Sequence, residues 1–339
     1  MICALGCGAT EHVSKMHSSE EYCVYTDDCG REVTIPNHIE KVVPSGPISQ
    51  VILYSLSPDM MVGLASRFHE GDEEYISEEV MNLPYLGELF DTANMNIEEL
   101  VKVNPDIIID IGEAKSTLKE ELDRLQMITG IPCIHIEATL KTMPAAYRKL
   151  GEILNREEKA GELAKFCNRI YSRTETIMEE VGARKIRAIY LTGIDGLYAL
   201  GKGSFSADIV DMLTDNVAVF DTKWGKGTGN EVTLEQIAVW NPDFVILSPD
   251  NEFEDIGTNS VWNCLDAIND GRYVKVPQAP HNWMGTPPSV QRYLGLIWLT
   301  HILYPENCDY NVYDDVVEYY KLFYDYDMSF EQYEKITNY

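Results

Sequence analysis

Residues 96–109, NIEELVKVNPDIII, return 137 positions later as residues 233–246, TLEQIAVWNPDFVI. Each copy has a polar N-cap residue, a short helical segment with an acid in its first turn, an Asn-Pro-Asp stop and a run of apolar, mostly β-branched residues. A helix that leads into a continuous apolar strand is typical of a buried parallel sheet. The repeated segment therefore predicts the same helix–strand unit in two parts of the chain.

A second pair of segments follows in the same order. Residues 148–153, RKLGEI, match residues 292–297, RYLGLI, with an offset of 144. The 339 residues, 45% of them hydrophobic, are enough for two cores at about 150 residues per domain. We predict an α/β fold with two similar lobes, each a mainly parallel sheet flanked by helices, and a ligand cleft between them.

The longest helical pattern lies between the two repeats. Asn155 is its predicted N-cap, with Glu158 three residues further on, and apolar residues recur at helical spacing up to Val181. At 1.5 Å per residue, the roughly 26 residues from Arg156 span about 39 Å. We expect this single helix to join the lobes and to limit how far the cleft opens. The predicted boundaries are 1–22 for a leader remnant and tether, 23–154 for the first lobe, 155–182 for the joining helix, and 183–339 for the second lobe with a C-terminal helical extension.

The charge balance excludes some classes of partner. The chain has 55 acids and 27 bases, a formal charge of -28. A protein that binds nucleic acid or an anionic membrane needs a basic face, so neither is an expected partner. The sequence contains no run of about 18 apolar residues, the pattern that would predict a membrane span.

The motifs of common enzymes are absent from the sequence, and we predict no enzymatic activity. Residues 196–203, GLYALGKG, come close to the phosphate-binding pattern G-x-x-x-x-G-K-[ST]. Gly203 stands where magnesium coordination needs a hydroxyl, and residues 197–200 have the character of a short strand. A nucleotide-binding enzyme is therefore a distant alternative. The acid-rich stretches 69–74 and 250–255 lack the alternation of a calcium loop and are interpreted as solvated loops.

The eight cysteines contain no C-x-x-C metal pattern. Cys23 and Cys29 flank a predicted hairpin turn at residues 26–28, so either a small disulfide or two free thiols fits the pattern.

Several segments, taken in their order, resemble a known family. Residues 25–36 (YTDDCGREVTIP), the two Asn-Pro-Asp units, the long central helix, residues 203–205 (GSF) and residues 320–324 (YKLFY) are similar to the helix-backbone (class III) substrate-binding proteins of ABC importers. The resemblance covers roughly residues 23–335. It implies a monomeric extracytoplasmic protein without a cofactor of its own, which carries an iron complex such as a siderophore or haem. Cobalamin or another corrinoid is the alternative cargo.

The same resemblance implies contacts with other components of the importer. In this family an exposed Glu of each lobe docks on the permease dimer, and Glu98 and Glu235 occupy the matching positions. A first-turn acid also complements the helix dipole by about 0.3–1 kcal/mol, and the two roles are compatible. Residues 2–8, ICALGCG, look like the end of a lipoprotein signal, which makes Cys7 the predicted lipid attachment site and the anchor the only membrane contact.

Ligand residues are expected on loops that leave the carboxyl ends of the strands. The loop 280–288, PHNWMGTPP, brings an imidazole, an indole and a thioether together. Trp283 would stack on a planar cargo, and His281 or Met284 would ligate its metal or touch its edge. In the alternative, Trp283 and Met284 plug the lobe and His281 lies on the surface. The predicted cleft residues are Arg67, Tyr85, Tyr198, Trp224, His281, Trp283 and Met284.

Two of these candidates have further consequences. Arg67 would bind an anionic group of the ligand or form an ordinary salt bridge. A corrinoid cargo is favoured if Trp224 and Trp283 both face the cleft and no side chain reaches a metal.

Overall fold

The computed structural model describes residues 17–18, 21–88, 96–221, 229–253 and 255–337. The first lobe and the joining helix contain β1 (His17–Ser18), β2 (Tyr22–Thr26), β3 (Glu32–Pro36), β4 (Val42–Pro44), α1 (Pro47–Leu56), α2 (Glu78–Met81), α3 (Ile97–Val103), β5 (Ile107–Gly112), α4 (Leu118–Thr129), β6 (Cys133–Glu137), α5 (Met143–Leu154) and α6 (Glu157–Val181). The second lobe contains β7 (Arg187–Thr192), β8 (Tyr198–Ala199), α7 (Asp208–Leu213), β9 (Asp215–Asn216), β10 (Asn230–Glu231), α8 (Leu234–Trp240), β11 (Phe244–Leu247), α9 (Asp266–Asn269), β12 (Tyr273–Lys275), α10 (Arg292–Leu303), α11 (Val312–Tyr324) and α12 (Phe330–Thr337).

The repeated sequence forms the same unit in both lobes. Asn96 caps α3 by accepting a 3.1 Å hydrogen bond from the Glu99 amide. Thr233 caps α8 in the same way, through a 3.2 Å bond from the Gln236 amide. Both helices end at an asparagine with φ 45°, Asn104 and Asn241, because Asn tolerates the left-handed conformation that closes a helix. The strands β5 and β11 follow, as predicted.

Each lobe is built on a parallel sheet. In the first lobe β4, β5 and β6 pair in parallel, and a separate antiparallel sheet holds β1, β2 and β3. In the second lobe β7, β11 and β12 are parallel, while β8 runs antiparallel to β7 and to the edge strand β10. The strand β8 falls inside GLYALGKG, so this segment is not a phosphate loop, as the sequence indicated.

The joining helix is a single element, α6, of 25 residues, which gives it a length of about 37 Å. Its predicted N-cap is wrong. Asn155 instead closes α5 in the left-handed conformation with φ 52°, and Arg156 takes the N-cap position of α6 without a side-chain hydrogen bond. Two residues therefore separate the helices, which meet at a tight corner.

The second repeated segment lies on helices that pack against α6 in both lobes, α5 and α10. The glycine of each copy is required because another part of the chain packs closely against it. A Cβ on Gly151 would lie 2.6 Å from the Cβ of Ala160 on α6, and a Cβ on Gly295 would lie 2.5 Å from the carbonyl oxygen of Trp283. The repeated Leu-Gly pair thus allows each helix to reach its neighbour.

The main hydrophobic core is continuous from one lobe to the other. One cluster of buried side chains includes Ile52 of the first lobe, Leu163 of α6 and Leu296 of the second lobe. Because apolar side chains on both sides of α6 share this core, the lobes pack as one body around the helix.

The N-terminal hairpin formed by β2 and β3 agrees with the predicted turn. Cys23 and Cys29 are both free thiols there, so of the two alternatives the unpaired one is present. Within the described residues, the helices are too short or too polar to cross a membrane.

Candidate functional site

A cavity of about 910 Å³ lies between the lobes, at the carboxyl ends of the parallel strands. We call it the imidazole cavity. The first lobe contributes Ser66, Arg67 and Asp72, and the second contributes Tyr198, Asp250 and His281. The cleft therefore lies where the strand ends predicted it. Three predicted residues, Arg67, Tyr198 and His281, line this cavity.

His281 reaches the imidazole cavity from the loop 280–288. Loss of hydration, with a smaller contribution from the neighbouring His69, lowers the pKa of His281 from 6.5 to about 4. The imidazole is therefore neutral at pH 7, and among the described residues nothing hydrogen-bonds its ring. A neutral imidazole has a lone pair that can bind a metal.

The main chain of this loop is held by Asn282, which is 4% exposed. Its amide donates to the Tyr190 hydroxyl at 3.0 Å, and its carbonyl accepts from the Met284 amide at 2.7 Å. Asn282 was not among the predicted residues, although it neighbours His281. Its buried amide fixes the position from which the imidazole enters the cavity.

Two predictions for the same loop are wrong. Trp283 is fully buried, donates from Nε1 to the Tyr320 hydroxyl at 3.3 Å and packs edge-on against Trp298. Met284, 2% exposed, packs in the same core near Gly295. Neither side chain lines the cavity, because both belong to the buried hydrophobic core. Met284 is therefore not placed to ligate a metal in the cleft.

Arg67 supplies the only permanent positive charge among the described residues that line the imidazole cavity. Its guanidinium carbon lies 4.5 Å from the ring centroid of Tyr85. Tyr85 itself does not line the imidazole cavity; its half-exposed ring contacts Arg67, which does. The contact is a cation–π interaction.

The acids of the imidazole cavity are engaged with the main chain. Asp72 accepts from the His69 amide at 2.8 Å, Asp195 from the Leu197 amide at 3.1 Å, and Asp250 from the Gly193 amide at 3.2 Å. Asp72 is 5% exposed, and burial raises its pKa.

Most described residues of 69–74 and 250–255 are exposed, in agreement with the interpretation as solvated loops, but Asn251 and Asp72 are buried. The signal that was available is spacing: an Asp three residues after His69 is placed to cap that residue's amide. In the described part of the chain, no group of three or more His, Cys, Asp or Glu side chains is arranged to hold a metal ion.

A second cavity of about 670 Å³, the acidic cavity, adjoins the first. Pro47, Leu200 and Pro287 line both and form the ridge between them. Its carboxylates include Asp110 and Glu113 at the end of β5. Both compartments are lined by more acids than bases, and the imidazole cavity differs in also having His281 and Arg67 on its walls.

The predicted docking acids lie away from both compartments. Glu98 and Glu235 are exposed in the first turns of α3 and α8 and line neither cavity. Hydrogen bonds from its own amide and from Thr233 lower the pKa of Glu235, so that it carries a full negative charge at pH 7. Trp224 and Cys7 lie outside the described residues.

Comparison with known proteins gives consistent matches. The sequence profile of a family described as periplasmic binding protein matches residues 65–280. The molybdate-binding protein MolA of Haemophilus influenzae is 25% identical over 333 residues, which cover 89% of this chain and 90% of that protein.

Solved structures share the fold over nearly their whole length. An ABC transporter solute-binding protein from Sulfurospirillum deleyianum superposes with a TM-score of 0.85 at 24% identity, over 92% of this chain and 98% of that one. CeuE of Helicobacter pylori, solved in a nickel–histidine complex, gives a TM-score of 0.67 at 17% identity, over 94% and 99%. At 24% and 17% identity, these matches show that the two-lobed α/β fold is shared.

Proposed function

Because the chain belongs to the periplasmic binding protein family, we propose that it carries a metal chelate to an ABC importer, with an iron complex such as a siderophore or haem as the cargo. Its relatives are substrate-binding proteins of ABC transporters and not enzymes. The chain is accordingly an extracytoplasmic solute-binding protein. What it carries is the proposed part.

The observation that carries the proposal is the presence of His281 and Arg67 on one cavity, each from a different lobe. A neutral imidazole suits iron and other transition metals, whereas a guanidinium suits carboxylates and other anionic groups. A chelate presents both kinds of group, a metal and the anionic arms that hold it. His281 would bind the metal or touch the chelate edge, and Arg67 would hold an arm.

The size of the imidazole cavity also favours a chelate. At ~30 Å³ for each water molecule, 910 Å³ corresponds to about thirty waters. Pockets of roughly 300–1,000 Å³ usually hold organic molecules of drug size. A single tetrahedral oxyanion would fill only a small part of this space.

Molybdate is the second candidate. The relative that is 25% identical is named as a molybdate-binding protein, and Arg67 could receive an oxyanion. Against it, Asp72, Asp195 and Asp250 lie on the same cavity and would repel a doubly charged anion. The corrinoid alternative depended on Trp224 and Trp283 both facing the cleft. Trp283 does not face it, because its side chain is in the core.

We further propose the partner and the anchor. Glu98 and Glu235 would dock on basic residues of the permease dimer, since both are exposed acids at equivalent places of the two lobes. Cys7 would carry the lipid that keeps the protein at the outer face of the membrane.

The proposal is tested by calorimetric titration of the protein with a ferric trihydroxamate, haem, cobalamin and sodium molybdate. We expect saturable 1:1 binding of an iron complex that weakens in His281→Ala. Exclusive binding of molybdate, with His281→Ala unchanged, would replace the chelate by the oxyanion.

A further inference from the structure

The loop that carries Arg67 is fixed by one buried amide. Gln50, 2% exposed, accepts from the Ala65 amide at 2.7 Å and the Ser66 amide at 3.0 Å, and it donates to the Ser66 carbonyl oxygen at 3.1 Å. Three main-chain groups directly before Arg67 are thus satisfied by a single side chain. A buried glutamine that makes all these bonds holds the backbone in one conformation.

The main chain of Tyr85 is held beside this loop by pairing with Leu64. The Leu64 amide donates to the Pro84 carbonyl oxygen at 2.9 Å, and the Leu86 amide donates to the Leu64 carbonyl oxygen at 2.8 Å. Tyr85 lies between these two bonds, so its main chain is paired with the strand-like segment that precedes Arg67. The two side chains that make the 4.5 Å contact therefore start from main-chain segments that are held side by side.

The Arg67 guanidinium has no acidic partner among the residues that the structure describes. Among the described residues it makes neither an ion pair nor a hydrogen bond, although acids outnumber bases 55 to 27 in this chain. Arg31 and Arg292, by contrast, reach Asp27 and Asp208 at 3.0 and 3.1 Å. The contact with the Tyr85 ring uses none of the five N–H donors of the guanidinium as a conventional hydrogen bond, so they stay available to a ligand.

We propose that Gln50, Tyr85 and Arg67 form a preorganised clamp for one anionic group of the cargo, a carboxylate or an oxyanion, which Arg67 binds bidentately. Tyr85 is a positioning residue: it orients the guanidinium and does not touch the ligand. Preorganisation matters because a free arginine side chain loses rotamer entropy on binding, and a stacked one has already lost it. The inference rests on the proposed function and specifies the chemistry of one end of the cargo.

The first experiment is a double-mutant cycle read by calorimetry, with sodium molybdate and ferric citrate as anionic probes and a neutral ferric trihydroxamate as the control ligand. Tyr85→Leu should lower the affinity for whichever anionic probe binds by about tenfold. Tyr85→Phe keeps the ring and should lower this affinity less than twofold. In an Arg67→Gln background, Tyr85→Leu should cost nothing further. Additive effects of the two substitutions, or an equal loss for the neutral control, would overturn the clamp.

The second experiment needs no ligand, so it separates the clamp from the proposed function. Phenylglyoxal modifies accessible guanidinium groups, and the extent at Arg67 is measured by peptide mass spectrometry. The rate should rise several-fold in Tyr85→Leu and stay unchanged in Tyr85→Phe. An unchanged rate in Tyr85→Leu would refute the stacked arginine even if a chelate binds. If no chelate binds but the rates behave as expected, the clamp stands and the cargo assignment fails.

Discussion

The hydroxyl of Tyr293 in α10 donates a 2.6 Å hydrogen bond to the carbonyl oxygen of Leu140, in the loop after β6. This bond connects the second lobe to the first at a point separate from α6. Ser289 makes a further connection, from its hydroxyl to the Ile48 carbonyl oxygen at 3.1 Å. The lobes are therefore linked by a helix, by a shared core and by direct hydrogen bonds.

These links predict little domain closure. Because a large hinge motion would break the continuous core as well as both bonds, we expect only a small twist on ligand binding. Small-angle scattering curves measured with and without bound chelate should nearly superimpose. A marked fall in the radius of gyration on binding would contradict a rigid joint.

The burial of Trp283 predicts a loss of stability when it is truncated. Trp283→Ala should lower the free energy of unfolding by about 3–5 kcal/mol, since it leaves a cavity and removes the N–H that donates to the Tyr320 hydroxyl. Urea unfolding followed by circular dichroism measures this change. Trp240→Ala, at a half-buried surface tryptophan, is the matched control and should cost less. An unaltered unfolding midpoint combined with lost ligand affinity would mean that the indole contacts the cargo.

The lowered pKa of His281 predicts a pH dependence of stability. The unfolded chain binds more protons than the folded one between its pKa near 6.5 and the folded value of about 4. Stability contributed by the neutral imidazole is thus fully present above about pH 6.5 and is lost as the pH falls toward 4, by at most about 3 kcal/mol. Melting temperatures measured between pH 4 and 7 should show this decline.

His281→Gln should reduce that decline, because glutamine does not titrate. The exposed His38, replaced in His38→Gln, is the control and should leave the native pH profile in place. If the two variants gave the same profile as the native protein, His281 would titrate normally.

Glu98 and Glu235 are predicted to serve docking and not ligand binding. Glu98→Ala combined with Glu235→Ala should leave ligand affinity unchanged and reduce uptake in a reconstituted importer, and charge reversal should reduce it further. Glu331→Ala removes another exposed first-turn acid, on α12, and should leave transport at the native rate. A loss of ligand affinity in the double variant would show that the acids act on the cleft.

The repeated unit could be predicted from sequence because its determinants are local. Asn96 and Thr233 each accept from the amide three residues later, and an Asn before Pro closes each helix. Asn155 has the same local signal for a helix start, yet it ends the preceding helix. The contact of Gly151 with Ala160 decides its conformation, and that contact exists only once the two helices are packed.

The candidate site was predictable in position but not in side-chain direction. Strand ends located the loops of Arg67 and His281, since chain direction alone orders them at one edge of the sheet. Which face of the loop 280–288 turns inward depends on the core between α10 and α11, so Trp283 was assigned to the wrong side. The Gln50 amide could not be found from sequence, because its partners are defined by a fold that places α1 beside residues 65–66.

Native mass spectrometry of the protein, purified without added metal or denaturant from cells grown with iron, tests the central claim most directly. We predict a bound species whose mass and isotope pattern include iron together with an organic chelator, and its loss or weakening in His281→Ala. A native adduct with the mass of a bare molybdate ion, retained in His281→Ala, would contradict the account.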